Sequence, residues 1–267
     1  MTDLYHKMYR HARPDAEWVV LVHGAGGSSA IWFKQLREYR RHFHALLIDL
    51  RGHGKSQNLF QRYARYTFDA VSREVLEVLD HCKIESAHFV GISLGTIIIR
   101  TIGEMAPHRV RSMVMGGAIV RMNFRSRVLA WLGDVCKSFL PYIWLYKLFA
   151  WTIMPYRNHR ASRSLFVGEA KHLCQKEFIR WYRLVNEVNP LLKWFREQET
   201  QVPTLYVMGS EDHMFLPSVR KVASDHASSI LKVIDNSGHV CNVDQPDLFN
   251  ALTVAFMRDP RAAVRAS

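Results

Sequence analysis

Residues 88–98 read HFVGISLGTII, and the reading of that stretch decides the fold. His88 to Ile92 has the apolar character of a buried strand, helix formers begin at Leu94, and Ser93 stands at the corner between them. Gly91 and Gly95 lie two residues to either side. An ordinary strand-to-helix turn has no reason to remove the bulk from both sides of a serine. A serine held out for attack does, because the strained corner that exposes its hydroxyl brings the residues two positions away too close to neighbouring backbone for a Cβ. The pattern is G-x-S-x-G in the strand–turn–helix context that gives it meaning. The helix starting at Leu94 also points its free N–H groups and positive dipole end at the serine.

Working outward, short β-branched runs recur, each ending in a polar or glycine-rich corner. EWVVLVHG ends a strand near Val22, FHALLIDL ends at Asp49, and SAHFVGI, VRSMVMGGAI, PTLYVMG and SILKVID follow. They are near-continuous apolar runs, as expected for strands covered on both faces. Helical patterns fall between them at 30–41, 68–82, 94–105, 218–226 and 247–257. The alternation predicts an α/β fold, a mostly parallel twisted sheet with helices on both faces, whose ligands collect at the C-terminal strand ends. It stops between Val120 and Thr200, a helical stretch that carries Trp131, Trp144, Trp151, Trp181 and Trp194. The expected organisation is a core of residues 1–119 and 201–267 interrupted by a helical cap or lid over 120–200. Within that lid PYIWLYKLFAWTIMP is apolar almost all round and must bury against something, first of all the rest of the lid, then an acyl pocket, then a loose membrane contact.

A serine hydroxyl becomes a nucleophile only when a base takes its proton, and the base needs an acid to orient it. LYVMGSEDHMFLP places Asp212 just beyond a late strand, and LKVIDNSGHVCN places His239 in the loop after the last one. The order Ser93, Asp212, His239 is the serine–acid–histidine order for such a sheet. His213 is the rival base and Glu211 the rival acid. An oxyanion would need two donors: the backbone N–H of Leu94, directly after the serine, and that of Ala25 in the corner LVHGAGGSS. That corner lacks the G-K-[ST] and G-x-G-x-x-G patterns of phosphate loops, which argues against nucleotide binding. His23 is expected to be structural, hydrogen-bonded beneath the loop.

At 267 residues the chain can bury a substantial core, and its apolar and charged content is that of a globular protein. The first eighteen residues show no signal-peptide pattern and the longest apolar run is too short to cross a bilayer, so a cytoplasmic location is expected. Cys82, Cys136, Cys174 and Cys241 have no metal or redox spacing and are expected to be small buried apolar residues. The formal charge of +12 is uneven: residues 120–200 hold fourteen Lys or Arg against six Asp or Glu. No nucleic-acid motif accompanies them, so a solvated helical surface is the expected reading, with attraction of a substrate carboxylate by Arg121, Arg125 and Arg127 as the alternative.

Together LVHGAGGSSAIW, LLIDLRGHGKS, FVGISLGT, PTLYVMGSEDHMFLP and IDNSGHVCNVDQPDLFN resemble the α/β-hydrolase superfamily, of the kind with a helical lid after the sixth strand. The resemblance implies Ser93 as nucleophile, His239 as base, Asp212 as orienting acid and Ala25 and Leu94 as oxyanion donors. It implies a mainly structural turn from Asp49 to Ser56. The ending GHVCNVDQPDLFN is similar to enol-lactone hydrolases and small esterases. Serine at position 93 sets the chain apart from the dehalogenases and epoxide hydrolases of this fold, which carry aspartate there. HGAGG and Leu94 set it apart from proline iminopeptidases. The expectation is a serine hydrolase of a small to medium apolar carboxylic ester or lactone, needing no metal or organic cofactor. Its partners would be a small-molecule substrate, with no nucleic acid and no stable membrane insertion. Carbon–carbon bond hydrolysis or cofactor-free lyase chemistry on the same three residues stays open, as does a non-catalytic ligand-binding or signalling module.

Overall fold

The structure, a computed structural model, describes residues 4–57, 66–137 and 139–265. Its centre is a sheet of strands β1 (His6–Tyr9), β2 (Trp18–Val22), β3 (His44–Ile48), β4 (Ala87–Ile92), β5 (Val110–Gly116), β6 (Thr204–Gly209) and β7 (Ser229–Ile234), in the order β1-β3-β2-β4-β5-β6-β7. All pairings are parallel except β1 with β3, where His6 faces Ile48 and Tyr9 faces Ala45. The six runs read from the sequence are all strands. The edge strand β1 is an addition: HKMY is short and half-exposed and carries no apolar run to betray it.

Side chains alternate across the sheet and build a core on each face. Val20, Val22, Leu46, Ile48, Phe89 and Met113 pack beneath α2 (Phe68–His81), α3 (Leu94–Met105) and α8 (Leu216–Asp225). Val19, Leu21, Leu47, Val90, Val114 and Val207 pack on the other side against α1 (Phe33–Tyr39) and α10 (Pro246–Arg258). The helix expected from Ala30 begins as a 3-10 turn, Ser29–Trp32, capped by the Ser28 hydroxyl. Two short helices, α9 (Cys241–Asp244) and α11 (Pro260–Arg265), were not anticipated. Of the cysteines only Cys241 is buried, and Cys174 is exposed, so the expectation of four buried thiols fails for three of them. Cys82, Cys136 and Cys174 all stand at helix ends, where less of the fold surrounds them than surrounds Cys241.

Between β5 and β6 the chain forms α4 (Phe124–Cys136), α5 (Tyr142–Ile153), α6 (Arg160–Ala170) and α7 (Gln175–Glu197). Among the described residues the insertion follows the fifth strand, not a sixth, with one antiparallel strand preceding the parallel series. It has a small apolar centre of its own, Leu145, Tyr146, Ala170, Leu173, Phe178 and Tyr182. It is also fastened to the sheet: Trp181, Leu184 and Val188 of α7 join the core on one face, and Ala150 of α5 and Met154 just after it join the other. The apolar α5 does not bury all round, however. Trp144, Leu148 and Trp151 stay exposed, because the inner face alone meets the rest of the molecule.

Candidate active site

Strand β4 delivers Ser93 to the N-cap of α3 with φ 53° and ψ −118°, a backbone state that side-chain-bearing residues rarely adopt. The sharp turn is what forces the two glycines. A Cβ on Gly91 would lie 2.7 Å from the Gly95 carbonyl, and one on Gly95 would collide with the Val22 carbonyl oxygen and lie 2.8 Å from that of His23. Backbone atoms cannot step aside, so neither position tolerates a larger residue without moving the turn. The corner is held by the Ser93 N–H donating to the Gly116 carbonyl (3.0 Å) and by the Ser93 carbonyl accepting from the Thr96 N–H and hydroxyl.

The loops after β6 and β7 bring Asp212 and His239 to the same point. His239 Nε2 lies 2.9 Å from Ser93 Oγ, and His239 Nδ1 lies 2.8 Å from Asp212 Oδ2. A carboxylate can only accept, so Nδ1 carries the proton and Nε2 presents its lone pair to the serine hydroxyl. Asp212 is fully buried and its second oxygen accepts from the Phe215 N–H at 3.1 Å, which fixes the carboxylate plane. The Phe215 ring lies 5.2 Å from the imidazole. The rivals are engaged elsewhere: Glu211 accepts from Asn158 Nδ2 and sits 2.8 Å from His159 Nε2, while His213 Nε2 meets the Tyr156 hydroxyl at 3.0 Å. This chain of serine, imidazole and carboxylate can pass one proton from hydroxyl to imidazole without moving a heavy atom.

Ala25 and Leu94 both line the cavity in front of Ser93. Leu94 opens α3, so its N–H has no partner within the helix. The loop carrying Ala25 is braced from beneath by two buried histidines. His23 donates from Nδ1 to the Gly24 carbonyl (2.8 Å) and accepts the Leu50 N–H at Nε2 (3.0 Å). His53 accepts the Gly26 N–H at Nε2 (2.9 Å) and donates from Nδ1 to the Arg51 carbonyl (3.0 Å). Burial holds both imidazoles neutral: it lowers the pKa of His23, and it lowers that of His53 to about 3 with His23 adding to the effect. Gly26 has φ +69° and the Tyr146 ring of α5 rests against it, leaving no room for a side chain.

The turn from Asp49 to Ser56 serves this loop. Asp49 accepts the N–H groups of Ser29 (2.7 Å) and Lys55 (2.9 Å), and the Ser56 hydroxyl donates to the Asp49 carbonyl (2.8 Å). Three neighbours of the site have no signature in sequence. Glu169 of α6 accepts a hydrogen bond from the Ser28 hydroxyl, Trp181 of α7 donates to the Arg51 carbonyl (3.1 Å), and Tyr146 covers Gly26. Each lies more than a hundred residues from its partner, so no local spacing marks it.

The site opens into a cavity of about 240 Å³. Its walls are apolar and come from both layers: Ile97 and Met214 from the sheet side, Leu129, Phe149, Phe166 and Leu184 from the insertion. Among the described residues no Lys or Arg lines it, so the alternative of a carboxylate drawn in by Arg121 or Arg127 finds no support there, and the Arg125 side chain lies outside the described residues. Among the described residues no cluster of three or more His, Cys, Asp or Glu is arranged to hold a metal ion.

Comparison with known proteins gives a consistent picture. A sequence model described as the alpha/beta hydrolase family matches residues 19–252. The chain is 26% identical over 272 residues to "Putative carbamate hydrolase RutD" of Stutzerimonas stutzeri, covering 99% of this chain and all of that one. It is 24% identical over 262 residues to carboxylesterase YbfK of Bacillus subtilis, covering 91% of this chain and 81% of that one. Among solved structures, an enol-lactonase from Burkholderia xenovorans LB400 superposes with a TM-score of 0.78 at 19% identity, with 96% of each chain covered. That last likeness is one of fold.

Proposed function

This chain belongs to the alpha/beta hydrolase family, and from that premise we propose that it is a serine hydrolase cleaving a carboxylic ester or lactone of a small to medium apolar substrate. The observation that carries the reading is the hydrogen-bonded chain Ser93–His239–Asp212 standing at the mouth of an apolar cavity. Ser93 Oγ adds to the carbonyl carbon as His239 Nε2 takes its proton. Asp212 holds the imidazole and stabilises its charged form. The carbonyl oxygen, now anionic, lies between the N–H groups of Ala25 and Leu94, where each donor contributes a few kcal/mol in comparable sites. Collapse of the adduct breaks the bond to the leaving oxygen, which His239 protonates. Water then gives a proton to the same imidazole, adds to the acyl-enzyme, and releases the acid with Ser93 restored.

The activities named for the similar proteins, carbamate hydrolase, carboxylesterase and enol-lactonase, differ in what flanks the carbonyl but share an electrophilic carbonyl carbon. The apolar walls favour an ester or lactone with a hydrocarbon acyl or ring portion. A cavity of about 240 Å³ walled by apolar side chains suits a substrate of small to medium size. The test is hydrolysis of chromogenic esters of rising acyl length beside the Ser93→Ala variant, with fluorophosphonate labelling of both. Turnover and labelling that both require Ser93 support the proposal. Ligand binding without either would replace it with a non-catalytic module, and serine-dependent cleavage confined to diketones would replace it with carbon–carbon hydrolysis.

A further inference from the structure

Helices α4 and α5 are apolar on two sides. Their inner faces, with Leu129, Tyr146, Phe149 and Ile153, line the cavity. Their outer faces carry large side chains that touch little. On α4, Phe124, Val128, Trp131 and Val135 are exposed, at spacings of four, three and four residues that put them on one side of the helix. On α5, Trp144, Leu148 and Trp151 repeat the pattern, and Phe139 and Leu140 occupy the turn between the two helices. Phe139 is 85% exposed, Phe124 74%, Trp144 65%, Trp131 63% and Trp151 60%. Single exposed apolar residues need no explanation, but this many large ones within one helical hairpin do.

The charge of the same segment says what kind of surface would cover it. Residues 121–163 hold eight Lys or Arg against Asp134 as the single acidic residue. Some of these cations stand directly among the aromatic rings: Lys147 lies 5.8 Å from the Trp144 ring and Arg163 lies 4.1 Å from that of Trp151, while Arg127 is exposed between Phe124 and Trp131 on α4. Apolar rings interleaved with cations suit a boundary that is greasy beneath and negatively charged above. A second copy of the chain meeting this face with its own would bring two strongly positive surfaces together, which disfavours self-association. We infer that the outer face of the α4–α5 hairpin is a docking surface for an anionic phospholipid bilayer, with the rings entering the acyl boundary and the cations pairing with phosphate headgroups. The contact is peripheral, since no helix among the described residues is long and apolar enough to cross a membrane. The inference does not rest on the proposed chemistry.

The test is co-sedimentation of the full chain with vesicles of phosphatidylglycerol and phosphatidylcholine in equal parts, and with vesicles of phosphatidylcholine alone. The chain should pellet with the anionic vesicles, with a blue shift of tryptophan emission, and bind the neutral ones at least about tenfold more weakly. Binding should weaken as salt is raised. A Trp131→Ala/Phe139→Ser/Trp144→Ala variant should lose at least about tenfold in anionic-vesicle affinity with its circular dichroism and melting temperature retained. Arg127→Glu/Lys147→Glu should lose at least about fivefold on anionic vesicles and little on neutral ones. A wild-type chain that stays in the supernatant overturns the inference, as does a triple variant that binds equally well. Concentration-dependent dimers that the triple variant abolishes, in a chain that ignores vesicles, would overturn it in favour of a second copy.

Discussion

Ser93 pays for its exposure in backbone strain, and that makes separable predictions for stability and turnover. Positive φ at a residue with a Cβ costs on the order of 1–3 kcal/mol. Ser93→Ala keeps the Cβ and hence the strain, so turnover of the preferred ester should fall by about 10⁴ or more with the denaturant midpoint nearly unmoved. Ser93→Gly removes both hydroxyl and strain, and should be equally inactive yet more stable by on the order of 1 kcal/mol in urea unfolding. A glycine variant less stable than the alanine one would contradict the strained-corner account. At Gly95 the sign reverses: a Cβ there meets the carbonyl oxygens of Val22 and His23. Gly95→Ala should cost at least about 2 kcal/mol, and a neutral result would mean that the turn can relax. These residues were legible in the sequence, because a five-residue motif with its glycines is a local steric statement.

At the scale of elements, the loop bearing Ala25 rests on side chains from a different part of the chain. His53 stays neutral in the fold, its pKa lowered to about 3 by burial and by His23, whereas an imidazole in the unfolded chain takes a proton near 6.5. Between those values the unfolded state binds a proton that the folded state refuses. Stability from this group is therefore complete above about pH 6.5 and is lost as pH falls toward 3, at up to about 1.4 kcal/mol per pH unit. His53→Gln can still accept from the Gly26 N–H and donate to the Arg51 carbonyl but cannot titrate. Urea unfolding at pH 7.5, 6 and 5 should show a shallower loss of stability in the variant; identical slopes would remove His53 as a cause of acid sensitivity. His53 was visible only as part of the D-x-R-G-x-G-x-S turn. Its role as a brace could not be read, since nothing in the spacing says which backbone N–H its ring meets.

The whole molecule decides the cavity. Sheet loops carry Ser93, Asp212 and His239, while α4, α5, α6 and α7 supply about half of the residues lining the cavity, so in the proposed reaction substrate preference belongs to the packing of the two layers together. Leu129→Trp would fill the inner side of α4 and shorten the space. The preferred acyl length in an ester series should shift downward, while turnover of the acetyl ester changes by less than about threefold. An unchanged length profile would place the acyl group elsewhere. Because the same helices carry the exposed aromatic face, wall and outer surface are two sides of one layer. The apolar, nearly periodicity-free run of α5 announces burial but not its direction, which is why the sequence reading expected its tryptophans inside.

What the sequence by itself determined is what neighbouring residues settle among themselves. Continuous apolar runs made parallel strands, paired glycines marked the corner at Ser93, and the placement of Asp212 and His239 after their strands followed from the repeat of strand and helix. The short antiparallel strand β1 escaped because an edge strand needs its neighbour's hydrogen bonds more than its own pattern. Only the tertiary structure decided that Asp212 and not Glu211 meets His239, that Glu169, Tyr146 and Trp181 secure the loop, and that Trp144 and Trp151 face outward. The physical reason is separation along the chain: these contacts join residues brought together by packing, and local spacing can rank candidate partners, as it ranked Asp212 ahead of Glu211, but only packing brings one of them into contact.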